Sequence, residues 1–208
     1  MSLELYTIGH STHLLAQFLD LLVQHRISAI CDVRSTPYSR HHPQFNREPL
    51  QKELSRYHIA YVFLGEELGA RSSDPSCYDA GTVQYHRLAA TDAFRQGIER
   101  VKKGIQRYRV ALMCAEKDPL ACHRTILVCR HLKAPEVSIR HILSDGSIEP
   151  HEVSEQRLVK LLGVEQGDLF QDFRELLERA YDLQGQRIAY TMPMGVRRES
   201  HETYENEA

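Results

Sequence analysis

Short runs of β-branched and apolar residues alternate along this chain with longer segments whose apolar positions recur every three or four residues. The β-type runs fall at 3–8, 27–33, 59–64, 109–114 and 138–143, and an Asp145-Gly146 turn can close a hairpin with 147–153. Helical patterns occupy the stretch after Ser11 and Thr12, then 48–58, 84–108, 125–132 and 154–162. Ser11 or Thr12 is the expected N-cap of the first helix. Strands separated by helices of this length require right-handed crossovers between parallel neighbours. The expected fold is therefore α/β: a mostly parallel sheet with helices on both faces.

The 208 residues suit one domain, expected over 1–163. Residues 164–208 differ. An amphipathic stretch at 169–183 (Leu169, Phe173, Leu176, Leu177, Leu183) needs burial, against its own domain or in a homo-oligomer through this C-terminal helix. The tail RRESHETYENEA is too polar to build a core and is expected to be flexible. A net charge of −2 argues against broad coating of nucleic acid, although a local basic pocket stays open. No run of about 18 apolar residues is present, so no membrane span is expected. Five cysteines at irregular spacing, behind an N-terminus without a basic-then-apolar pattern, point to a reducing cytoplasm.

In open parallel sheets ligands bind outside the carboxyl ends of the strands. The residues leaving each strand are ionisable: His10 and Ser11 after the first, Asp32 and Arg34 after the second, Glu66 and Glu67 after the third, Cys114 and Glu116 after the fourth. Asp32 and Arg34, like Cys114 and Glu116, stand two apart on extended backbone and so share a face. Each such pair also fits a structural role; their convergence carries the argument. The long polar loop at 35–47 holds Tyr38, Arg40, His41, His42 and Phe45, as a surface loop or a lid.

Cys122-His123-Arg124 directly precedes the apolar helix at 125–132, where helix-terminal amides favour an anion and lower a thiol's pKa. The turn therefore reads as a reactive thiolate or an anion site, against the plainer reading of a buried small hydrophobe beside a capping histidine. Twenty Arg against six Lys favours planar, bidentate recognition of carboxylate or phosphate. Cys114, Cys122 and His123, with His10, offer thiolate and imidazole ligands for a metal, but their spacing lacks the tight C-x2-C knuckle of structural zinc sites.

The TIGHST opening, the CDVRSTPYSR segment with its downstream F-N, the LGEELGAR stretch and CAEKDPLACHR resemble the signature blocks of the DUF488 family, bacterial and archaeal proteins of unknown function. The resemblance spans about residues 4 to 145. It implies a compact α/β domain and draws interest to His10, Ser11, Asp32, Arg34, Cys114, Glu116, Cys122, His123 and Arg124, without naming a reaction or a cofactor.

The leading expectation is an enzyme acting on a phosphorylated or nucleotide-like anionic small molecule, a hydrolase or a transferase. Arg34 and Arg124 would clamp the anion, with Ser11, Arg40 and His123 as further substrate contacts. Asp32 or Glu116 would act as base or nucleophile, Cys122 as an alternative nucleophile, and His10 would carry protons. Neither a G-x-G-x-x-G nor a Walker pattern is present, which disfavours the standard dinucleotide and P-loop enzymes. Two other readings stand: a Cys/His metal-dependent enzyme through Cys114, Cys122 and His123, and a non-catalytic nucleotide or nucleic-acid binding module using Arg with Tyr38 and Phe45. The enzyme reading expects Asp32→Asn, Arg34→Ala and Arg124→Ala to remove activity without changing the melting temperature.

Overall fold

The computed structural model describes residues 3–164 and 172–192. The chain opens with β1 (Leu3–Gly9), α1 (Leu15–Gln24) and β2 (Ala29–Asp32). A long loop with a 3-10 turn at Pro43–Phe45 leads to α2 (Arg47–Arg56) and β3 (Ala60–Phe63). The short α3 (Gly65–Leu68) is followed by a two-strand ribbon of β4 (Tyr78–Asp79) and β5 (Thr82–Val83). Then come α4 (Tyr85–Ala89), α5 (Asp92–Ile105) and β6 (Val110–Cys114). A 3-10 turn at Pro119–Ala121 and a π-helical segment, Arg124–Cys129, run into α6 (Arg130–Leu132). β7 (Val137–Ile142), β8 (Ile148–Pro150), α7 (His151–Leu162) and α8 (Phe173–Ile188) complete it.

The sheet has the order β3-β2-β6-β1-β7-β8 and is parallel except for β8, which pairs antiparallel with β7 across the Asp145-Gly146 turn. Period-two alternation sorts the strand residues between faces. Leu5, Ala29, Cys31, Val110 and Leu112 pack against Phe94, Ile98, Val101 and Ile105 of α5. Tyr6, Ile8, Ile30, Ala111 and Met113 pack on the opposite face against Phe18 and Leu22 of α1 and Leu50 and Leu54 of α2. The fold is α/β with helices on both faces. The chain leaves β1 toward β2 but leaves β6 toward β7, so neighbouring strands depart in opposite directions. Their carboxyl ends bound the crevice where such sheets bind ligands.

Three local expectations are corrected. The first helix is not capped by Ser11 or Thr12: Ser11 takes a left-handed φ of 45°, and α1 is entered at Leu14, whose N–H donates to Gln17 Oε1 at 3.3 Å. The periodic stretch 84–108 is two helices, because the Thr91 hydroxyl accepts the Phe94 N–H and starts α5 afresh. The segment after His123 winds as a π-helix before becoming α-helical.

The C-terminal helix α8 packs on its own chain: Leu177, Ala180 and Tyr181 are buried with Leu158 and Val159 of α7 and with Leu120 and Ile126. Burial of Leu177 alone contributes on the order of 2 kcal/mol. Phe173 stays exposed. Leu169 and the polar tail lie outside the described residues. Among the described residues, no helix is long and apolar enough to cross a membrane.

Candidate functional site

Asp32 closes β2, and the chain turns so that Arg34 folds back onto it. Arg34 donates from Nε to Asp32 Oδ1 at 2.9 Å, from Nη2 to Oδ2 at 2.6 Å, and from its backbone N–H to Oδ1 at 3.1 Å. The Tyr61 hydroxyl, from β3, donates to Oδ2 at 2.7 Å. Four donors meet the four lone-pair positions of a carboxylate, so Asp32 holds Arg34 and has no lone pair left to act as a base. Arg34 Nη2 also donates to the Phe45 carbonyl at 2.9 Å and Nη1 to His10 Nε2 at 3.2 Å. One of the five guanidinium N–H groups, on Nη1, is left over.

That contact also fixes the state of His10. A guanidinium can only donate, so Nε2 accepts and Nδ1 carries the proton, donated to the Ser11 carbonyl at 3.1 Å. The ring is buried and stacked on Phe45, with centroids 4.4 Å apart. Burial and the neighbouring Arg34 charge hold its pKa down to about 4. His10 is thus a neutral spacer at pH 7, not the proton carrier expected from sequence.

The second half of the site comes from the end of β6. Pro119 starts the 3-10 turn, Asp118 accepts the Leu120 N–H, and the chain doubles back to lay Cys122 and His123 beside Cys114. The Asp118 carboxylate is also held by Arg157 of α7 at 2.9 and 3.0 Å, which pins the turn. His123 Nε2 donates to the Val33 carbonyl at 2.9 Å, so Nδ1 faces the two sulfurs, 3.7 Å from Cys114 Sγ and 3.9 Å from Cys122 Sγ. Cys122 Sγ lies 3.0 Å from Glu116 Oε2. One donor atom from each of Cys114, Glu116, Cys122 and His123 falls within 4.8 Å of every other.

Arg124 does not reach the crevice. It is fully buried, and its guanidinium donates to the carbonyls of Glu116 (2.7 Å) and Lys117 (3.4 Å) and to the Thr7 hydroxyl (3.4 Å). No carboxylate pairs with it among the described residues. Its charge is felt by Cys122, whose sulfur also accepts the Arg124 backbone N–H at 3.4 Å. Burial opposes ionisation of Cys122, but a hydrogen bond from Cys114 and the Arg124 charge outweigh it and pull the thiol well below its ordinary pKa. Burial, with Cys122 alongside, pushes Cys114 well up. Glu116 is open to solvent as a residue, yet its carboxyl tip turned toward the sulfur loses water, and that loss together with Cys122 raises its pKa. Burial works against protonating His123, and contact with Cys122 reverses this.

Behind Arg124 runs a one-way hydrogen-bonded chain. Thr7 Oγ1 lies 2.8 Å from His141 Nδ1, His141 Nε2 3.0 Å from His151 Nδ1, and His151 Nε2 3.1 Å from the Tyr181 hydroxyl, which donates to Glu155 at 3.0 Å. Lys133 closes the far end on Glu155 at 2.6 and 2.7 Å. Arginine only donates and a carboxylate only accepts, so with neutral imidazoles every proton points from Arg124 toward Glu155.

Above the cluster opens a pocket of about 340 Å³. Arg34, Ser35, Thr36 and Tyr38 form one wall, Ala70, Arg71 and Tyr85 another, Ile188 and Tyr190 a third, with Cys114, Glu116, Ala121 and His123 at the base. Cys122 is 1% exposed and sits behind Glu116 rather than on the lining. Of the residues singled out in the sequence, Arg34, Tyr38, Cys114, Glu116 and His123 meet the pocket. Asp32, His10, Cys122 and Arg124 lie in the layer behind. Ser11 and Arg40 are not among its walls.

Three lining residues escaped sequence reasoning. Arg71 stacks over the Tyr190 ring at 4.4 Å, and no carboxylate pairs with it among the described residues. Tyr190 is delivered by the stretch after α8, which the Val83 N–H clasps at the Tyr190 carbonyl and the Met192 N–H at Gly81. The Tyr85 hydroxyl is buried without a partner among the described residues. Only Arg71 had a signal, as the last residue of LGEELGAR.

A search of curated proteins finds no match, and neither does one of solved structures. The family described as Domain of unknown function DUF488 matches residues 14–130, a shorter span than the sequence blocks suggested, since TIGHST precedes it. With more than half of its length matched, the chain belongs to the DUF488 family.

Proposed function

We propose that this chain is an enzyme acting on a phosphorylated or nucleotide-like anionic small molecule, bound at the carboxyl ends of β1, β2 and β6. The observation that carries the reading is the pocket itself: two arginines, Arg34 and Arg71, line it together with Glu116. Arg71 replaces Arg124 as the group that meets the anion, because Arg124 is spent on backbone carbonyls. Tyr38, Tyr85 and Tyr190 supply aromatic surface for a ring such as a nucleobase. Glu116 would move the proton, a role that its presence in the pocket lining and its raised pKa support.

The test is a panel of nucleotides and phosphometabolites, screened by thermal shift, titrated by calorimetry, and followed for product. At least one phosphate-bearing member should bind the wild type, and Arg71→Ala should weaken it about tenfold or more, as loss of a charge-assisted contact does. Glu116→Gln should bind but fail to turn over. Binding that ignores Arg71→Ala overturns the reading, as does the absence of binding by every anionic member. Binding without turnover by the wild type would make the chain a ligand-binding module.

A further inference from the structure

The base of the pocket holds a set of donors whose chemistry is more specific than acid–base work requires. Cys114 Sγ, Cys122 Sγ and His123 Nδ1 lie within 4.8 Å of one another, and all three residues are buried. We propose that these three atoms bind one zinc-type divalent cation, and that Glu116 serves the open side of that ion as its proton acceptor.

The geometry supports the assignment in four ways. Zinc sits about 2.3 Å from a thiolate and about 2.0–2.1 Å from an imidazole, so tetrahedral ligands stand roughly 3.5 Å apart. The imidazole nitrogen lies 3.7 and 3.9 Å from the two sulfurs, a few tenths of an ångström from that spacing. His123 donates its other ring N–H to a backbone carbonyl, the arrangement that turns a metal-binding imidazole and fixes its tautomer. Buried Arg124, which no carboxylate pairs with among the described residues, supplies a positive charge felt by both thiols, offsetting the charge that two thiolates and a carboxylate bring. Finally, the 3.0 Å contact between Glu116 and Cys122 is closer than the roughly 3.5 Å between two ligands of a tetrahedral ion, which favours Cys114, Cys122 and His123 over Glu116 as the ligand set.

Three protein ligands leave a fourth position, the pattern of catalytic rather than structural zinc. Two of the three ligand residues, Cys114 and His123, line the pocket, as do Glu116 and Tyr85, whose hydroxyl has no partner among the described residues. An ion held by these three residues would supply Lewis-acid chemistry at that fourth position, and Glu116 would be the neighbouring carboxylate. Soft sulfur donors select zinc or iron over magnesium and calcium.

The inference does not depend on which anion the pocket accepts, and its test reads metal rather than turnover. Full-length untagged protein, purified without chelator, should carry about one zinc or iron per chain by elemental analysis. Chelator-treated protein given Co²⁺ should show the near-ultraviolet sulfur-to-cobalt band and the intense visible bands of a tetrahedral site. Cys114→Ser and His123→Ala should each weaken Zn²⁺ binding about 100-fold in competition with a chromophoric chelator, whereas Glu116→Gln should retain the metal. Should the serine and alanine variants fold poorly, the wild-type cobalt spectrum decides alone. No sulfur-to-cobalt band, or equal metal retention in Cys114→Ser and wild type, overturns the site. Metal-free protein that still binds a phosphate ligand through Arg71 would sink this inference while leaving the proposed function standing.

Discussion

Gly9 lies directly against the backbone carbonyl of Glu116, so close that a β-carbon on residue 9 would overlap the oxygen. The same carbonyl accepts from Arg124 Nη1 at 2.7 Å, and β1 and β6 continue their pairing past the sheet through Ser11 N–H to Ala115. Absence of a side chain at Gly9 therefore lets the strand ends close over the buried guanidinium. Gly9→Ala should cost about 3 kcal/mol or more, lowering the melting temperature by roughly 6–12 °C. A thermal melt within 2 °C of wild type would show that the strand ends can part freely.

Asp32 and Arg34 are buried partners, which revises the expectation that Asp32→Asn leaves stability untouched. Removing the carboxylate charge strands Arg34 in the interior and should cost about 3–5 kcal/mol. Tyr61→Phe, which removes one of four donors, should cost only about 1 kcal/mol. Urea unfolding of both variants checks the ratio; equal losses would mean that Asp32 does not anchor Arg34.

His151 makes stability depend on pH. Burial first, then the Lys133 charge, lowers its pKa to about 4, whereas an unfolded histidine titrates near 6.5. Between those values the unfolded chain takes up a proton that the folded one refuses, so stability falls as pH falls through that window. The full loss is about 3 kcal/mol, and His141, lowered by burial and by its neighbour His151, acts in the same direction. Urea midpoints at pH 7.5, 6, 5 and 4.5 should decline accordingly, and His151→Gln should flatten the curve. An unchanged slope in that variant would assign the acid sensitivity elsewhere.

What the sequence made legible was whatever is encoded locally. The strand ends could be collected from alternation alone, and Arg34, Cys114, Glu116 and His123 do meet at one pocket. What stayed hidden depends on contacts far apart in the chain. Tyr190 reaches the pocket through pairing with the ribbon more than a hundred residues earlier, and nothing in its neighbourhood signals that. Arg124 has the sequence position of an anion clamp because helix N-termini favour anions and its guanidinium stands beside one. Its burial follows from Gly9 and from the carbonyls of 116 and 117, which only the closed sheet brings to it. His10 has the residue type of a proton carrier, but Arg34, 24 residues away, occupies its Nε2.

Thr7 and Tyr181 sit at opposite ends of the chain Thr7–His141–His151–Tyr181, and the direction of every proton in it is set by Arg124 at one end and Glu155 at the other. Hydrogen bonds aligned head to tail polarise one another, so breaking one end should weaken the other. Thr7→Val and Tyr181→Phe should each cost about 1–2 kcal/mol. Substitutions without shared partners add to within about 0.5 kcal/mol, but these two should depart from additivity by about 1 kcal/mol, because the first break already relaxes the chain that the second would cut. The double-mutant cycle measured by urea unfolding distinguishes the cases. Strict additivity would reduce the chain to independent buried hydrogen bonds, and would leave the Arg124 charge to be offset at Cys122 alone.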